Sequence, residues 1–172
     1  MDKIPEKHDP YAAVRVGEFR VFLASRVFMT LAYQMVDIIV YQQVYEITKR
    51  PLLIGLIGLT EAVPMILVAL YAGHVADRRN RRNIILLFNM IVFISTIALF
   101  GVTLDKASFI TNHGLFAIYA LVFIMGLARG FLGPALFGLM GQVVERDLYP
   151  SASTWNSTVW HTAAVIGPAL GG

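Results

Sequence analysis

Four ionisable side chains, Arg26, Asp37, Glu61 and Arg129, lie within long apolar runs of this 172-residue sequence. At mid-bilayer an ionisable group costs about 2.5–3.5 kcal/mol even on the lenient insertion scale, so such residues turn toward a cavity or a partner. A carboxylic acid beside an arginine in such a place is equipped for proton exchange. Desolvation favours the neutral acid, the guanidinium favours the anion, and moving one relative to the other takes up or releases a proton. Asp37, Glu61 and Arg129 are therefore the candidate substrate and proton pathway. Static ion pairs, Asp37 with Arg26 or Glu61 with Arg129, fit the same residues, as does an Asp37 that reaches toward the outer interface. Arg26 lies ~10 Å along its run, where a long side chain is expected to reach the headgroups instead.

No other chemistry competes with this reading. The sequence has no cysteine, which removes disulfides, thiolate metal ligands and thiol nucleophiles. No serine, histidine and acid fall into a nucleophilic motif, and no histidine or carboxylate cluster has metal-ligand spacing. An enzyme is not expected, nor a metal or cofactor. The net charge of +3 comes from basic residues beside apolar runs, where they orient a chain in a bilayer, so nucleic acid is not an expected partner.

The elements that must position the pathway follow from hydropathy. Hydrophobic residues make up 57% of the chain, with a mean hydropathy of +0.66, more than one soluble core can use. Crossing ~30 Å of hydrocarbon takes about 20 residues, and candidate helices run over 19–45, 52–76, 83–104, 115–144 and from about 152. The first eighteen residues are a polar tail, and the first apolar run is too long for a signal-peptide core. The connectors 46–51, 77–82, 105–114 and 145–151 are short, so successive helices run antiparallel. With the tail in the cytoplasm, that side holds Lys3, Lys7, Arg15, Arg20, Arg78, Arg79, Arg81, Arg82 and Arg146, against Lys49, Arg50 and Lys106 outside. At 1.5 Å per residue Asp37 is ~27 Å along the first span, Glu61 ~14 Å into the second and Arg129 ~21 Å into the fourth, which suggests a central polar site. Gly126 with Gly130, and Gly167 with Gly171, have the small-xxx-small spacing of close helix packing. In the fifth run Trp155 and Trp160 read as an interfacial belt and His161 as a hydrogen-bonding partner of a neighbouring helix.

Between the second and third runs stands Gly73-His74-Val75-Ala76-Asp77-Arg78-Arg79-Asn80-Arg81-Arg82. It resembles the G-x-x-x-D-R-x-G-R-R/K signature of the major facilitator superfamily and has the matching address, a tight turn after an even-numbered helix. Asn80 replaces the usual glycine, and asparagine tolerates left-handed backbone better than other side chains. The resemblance implies a conformational latch made of Gly73, Asp77, Arg78, Arg81 and Arg82. At the end, Gly167-Pro168-Ala169-Leu170-Gly171-Gly172 resembles the G-P-x-x-G-G core of a fifth-helix signature found in proton-coupled exporters, which implies Gly167, Pro168, Gly171 and Gly172 as a second motif and efflux as the direction. Arg129 followed by Gly133 loosely resembles the family's membrane-embedded arginine motif. The wording from Val44 to the latch resembles the siderophore (enterobactin-type) and macrolide exporter branch.

The expectation is an all-α membrane protein with about five transmembrane helices: a tail over 1–18, then an incomplete six-helix bundle over 19–172, truncated in its fifth helix. By resemblance it belongs to a secondary transporter of a bacterial inner membrane, exporting small, partly apolar molecules in exchange for protons. Its partners would be the lipid bilayer, its substrate, protons and a missing C-terminal half. The alternatives are a membrane docking or assembly subunit, an inactive transporter fragment, or an enzyme or receptor that borrows the fold.

Overall fold

A computed structural model of the chain describes residues 9–104 and 114–172. Lys3, Lys7 and Lys106, and all but the last residue of the connector 105–114, lie outside them. Five long helices account for nearly all the rest: α1 Gly17–Thr48, α2 Pro51–Arg78, α3 Arg81–Leu104, α4 Leu115–Val143 and α5 Tyr149–Gly171. Single 3-10 turns at Ala13–Arg15 and Arg146–Leu148 precede α1 and α5. Among the described residues α1 to α4 are long and apolar enough to cross a membrane. The fifth run is helical as expected, but its first half is too polar for it to count as a fifth span, being built from Ser151, Ser153, Thr154, Asn156, Ser157, Thr158, His161 and Thr162.

The connectors are tighter than hydropathy suggests, because the helices run past the apolar segments. Thr48 is the last residue of α1, and its hydroxyl donates to the Val44 carbonyl at 2.7 Å while accepting the Arg50 N–H at 3.3 Å. Lys49 follows with φ of 52°, the left-handed conformation that commonly stops a helix. Arg50 is extended, as the residue before a proline must be, and Pro51 opens α2 where a missing N–H is no loss.

Residues fall into two compact units: the chain up to Ile38 with Met140–Gly172, and Ile39–Leu139. In the first, α5 lies along the early part of α1, pointing the same way. Ala152, Asn156, Val159, Ala163 and Gly167 form its buried stripe. Asn156 meets Arg26, and Gly167 and Gly171 close onto Gln34, Met35 and Ile38. The segment before α1 is fastened to α5 as well. The Pro10 carbonyl accepts from the Ser151 hydroxyl at 2.6 Å and from the Trp155 Nε1–H at 2.9 Å. Trp155 thus has a specific partner in addition to any interfacial role.

In the second unit α2 and α4 are parallel neighbours. The Tyr119 hydroxyl donates to the Leu53 carbonyl at 2.8 Å, and farther along both helices Gly126 and Gly130 meet α2 backbone. A Cβ on Gly126 would collide with the Glu61 carbonyl and stand 3.0 Å from Glu61 Cα and Pro64 Cγ. One on Gly130 would collide with Val68 and lie 2.9 Å from the Met65 carbonyl. Around the turn into α3, Ala76, Ile84 and Ala135 form a small core with Phe88 and Phe131 stacked at 4.3 Å. Elsewhere the surface of these helices is strongly apolar, as at Leu67, Leu70, Phe93 and Phe100.

These contacts separate structural glycines from incidental ones. Gly130→Val forces α4 away from α2, and overpacking of this kind costs about 1–3 kcal/mol. Gly58→Ala on α2, where nothing lies within 4 Å of the added atom, gains about 0.5–1 kcal/mol from helix propensity. Denaturant unfolding of the two variants in detergent micelles should move in opposite directions.

Candidate functional site

Among the three pathway candidates, the structure joins Glu61 and Arg129. Glu61 is on α2, one turn before Pro64, and Arg129 is on α4 between the two glycines that admit α2 backbone. With α4 held that close, the Arg129 Nη1 donates to Glu61 Oε1 in a short ion pair. Their side chains are only 13% and 15% exposed, which makes this the most deeply buried of the ion pairs among the described residues. Each residue neutralises the other in a setting where neither is tolerable alone. Two prolines sit nearby, Pro64 in α2 and Pro134 in α4. Neither has an N–H to give to the preceding turn, so both helices are locally short of backbone hydrogen bonds next to the pair.

Asp37 belongs to the other unit. It is half-buried on α1, on the stretch against which α5 closes: a Cβ on Gly171 would come within 2.7 Å of Ile38 and 3.0 Å of Met35 Cα. Pro168 lies inside α5, and the Gly172 N–H closes the helix on the Pro168 carbonyl at 3.0 Å. The fifth-helix motif thus supplies the two glycines of the α1–α5 contact.

Arg26 departs from the expectation of headgroup contact. It is half-buried, and its Nε donates at 3.3 Å to the Asn156 side chain, which is itself buried on α5. Sequence reasoning undervalued Asn156, although a lone asparagine one helical turn from small and apolar residues is the kind of group that finds a partner across a helix interface.

In the latch turn the roles divide. Arg81 is the anchored residue: Nη1 donates to the Gly138 carbonyl on α4 at 2.7 Å, Nε to the Ala76 carbonyl at 3.4 Å, and Nη2 lies 3.7 Å from the Asp77 carboxylate. Gly138 makes room for it, since a Cβ there would stand 2.5 Å from Arg81 Nε. Arg78 and Arg82 are exposed, and Gly73 has no neighbour within 4 Å of its Cβ position. Asn80 is not in the left-handed region. It caps α3 instead: its side-chain oxygen accepts the Arg82 N–H at 3.0 Å, and its carbonyl accepts the Asn83 and Ile84 N–H groups. The missing glycine of the signature is thereby explained, because this turn uses an extended Arg79 and a capping side chain rather than a positive φ.

A family model described as transmembrane secretion effector matches residues 8–172. No curated protein and no solved structure matches the chain.

Two measurements test this geometry. Removing one partner of a buried ion pair costs about 3–5 kcal/mol, because the other charge is left uncompensated. Glu61→Gln and Arg129→Gln are each expected to destabilise the protein strongly, and the double variant by much less than their sum, in a double-mutant unfolding cycle in micelles. Loss of the Asn80 cap in Asn80→Ala should cost about 0.5–2 kcal/mol, whereas Asn80→Gly costs a few tenths, read in the same assay.

Proposed function

Since the chain belongs to the transmembrane secretion effector family of the major facilitator superfamily, we propose that it is part of a proton-coupled exporter of small, partly apolar molecules. The observation that carries this reading is the Glu61–Arg129 pair, a charge pair enclosed by two membrane-spanning helices at their closest approach. Protonation of Glu61 cancels its charge and releases Arg129. Arg129 must then find another acceptor or move toward water, and either response alters the α2–α4 contact. Loss of the proton on the opposite side restores the pair. A cycle of this kind exchanges a proton for a conformational change, which is the transaction an antiporter requires. Asp37, on α1, is a second carboxylate for proton exchange.

The latch turn fits the same cycle. Arg81 fixes it to α4, and exposed Arg78 and Arg82 remain for charge contacts with the other half of a complete transporter. The arginine-rich turn and basic tail support a cytoplasmic N-terminus in a bacterial inner membrane. Export is favoured over uptake by the family's description as a secretion effector and by the Gly167-Pro168-Ala169-Leu170-Gly171-Gly172 ending. Siderophores and macrolides are the substrate classes to examine first.

In inverted membrane vesicles from cells expressing the protein within its full reading frame, an imposed proton gradient should drive uptake of fluorescent dyes, macrolides or catecholate siderophores. Glu61→Gln, and to a smaller degree Asp37→Asn, should abolish the dependence on the gradient while leaving the protein in the membrane. Gradient-driven transport unchanged in Glu61→Gln would sink the relay.

A further inference from the structure

α5 contains no aspartate, glutamate, lysine or arginine, yet it is the most polar of the five long helices. Its buried stripe is committed to α1. On the opposite side Ser153, Thr154, Ser157, Thr158, His161 and Thr162 are all exposed, and with Pro150 they line an open recess of about 580 Å³. Hydrocarbon offers no hydrogen-bond partner, so a face of this density is not built for lipid, unlike the Leu67 and Leu70 surface of α2. The hydroxyls are also polarised in one sense. Thr154 donates its proton to the Pro150 carbonyl and Thr158 donates to the Thr154 carbonyl, both at 2.9 Å. With their hydrogens turned back onto the helix, these oxygens present lone pairs outward. The face is therefore neutral and rich in acceptors.

We propose that this face of α5 walls a water-filled passage and binds the transported compound through the compound's own hydrogen-bond donors. Amine- and hydroxyl-bearing molecules are preferred over molecules of equal charge and bulk that carry no donors. A phenyl or alkyl surface finds nothing here to satisfy the threonine oxygens, whereas an N–H or O–H does. The inference rests on the transport reading above and adds the chemistry by which cargo is selected.

The chain has no cysteine, so single-cysteine variants report without background. Ser157→Cys and His161→Cys sample the polar face, and Leu70→Cys samples the most exposed apolar position of α2. Native membranes carrying each variant are treated with a membrane-impermeant methanethiosulfonate. Labelling at 157 and 161 is expected to be at least about tenfold faster than at 70, because a thiol in hydrocarbon neither ionises nor meets the reagent. Ethidium, which carries two aryl amines, should slow labelling at 157 and 161. Tetraphenylphosphonium, of the same charge but without donors, should not. Labelling as slow as at 70 overturns the passage, and equal protection by both cations, or by neither, overturns donor recognition. Ethidium protection without ethidium export leaves this inference standing and removes the transport reading. Gradient-driven export with no difference between the two cations does the reverse.

Discussion

Everything distinctive about this chain depends on how closely α4 can approach α2. In hydrocarbon the usual reason for helices to associate is missing, since lipid tails are as apolar as leucine. What remains is backbone contact through small residues and the satisfaction of buried polar groups. Gly126 and Gly130 provide the first, meeting the backbone of α2 at Glu61 and Met65. Arg129 lies between them and provides the second. The two effects reinforce each other, because the glycines bring Arg129 within reach of Glu61 and the ion pair holds the glycines in contact.

That arrangement is stable and also conditional. A pair with both members nearly enclosed contributes little net energy over an apolar substitute, but it exacts a large cost when one charge is cancelled. It therefore behaves as a switch more than as a rivet. The helices around it are suited to respond, with Pro64 and Pro134 each removing one backbone hydrogen bond close to the pair. Arg81, by contrast, is held by two carbonyls and a carboxylate at the end of the same helix pair, which gives α2 and α4 a fixed point about which the pair can make or break.

How much of this the sequence disclosed follows from the physics of each feature. Spans α1 to α4 were legible because long apolar runs have one use in a chain of this composition. Their ends were not, since Thr48, Lys49 and Asn80 act through caps and a positive φ that hydropathy does not register. Glu61 and Arg129 stood out because charge in an apolar run is expensive, and rise per residue placed them at compatible depths. Which acid would meet the arginine depended on helix rotation, and the glycine spacing on α4 held that information without naming its partner. Asn80 was read as a tolerated replacement for glycine, where the structure uses it as a cap. Arg26 was assigned to the headgroups from depth alone, and depth is blind to the Asn156 across the interface. α5 was the hardest case: its length and ending resemble a span, while its hydroxyls keep it from meeting the hydropathy of one.

The polar groups of the two units differ in kind, and the difference bears on coupling. Ile39–Leu139 contains a carboxylate and a guanidinium whose contact a single proton can break. The other unit contains α5, with neutral hydroxyls and a histidine on its exposed face and amide-to-guanidinium contact on its buried one. A proton acts directly on the first set, and a neutral or cationic compound with N–H and O–H groups acts on the second. Coupling requires an element that belongs to both, and α1 and α4 each run through the point where the units divide, at Ile38 and Leu139. A shift of α4 caused by release of Arg129 is then carried along a continuous helix, and by thermodynamic reciprocity a ligand that moved the same helix would alter proton affinity at Glu61 by the same free energy. Exchange of a proton for a substrate needs no contact between the two ligands, provided that each prefers a different setting of those shared helices.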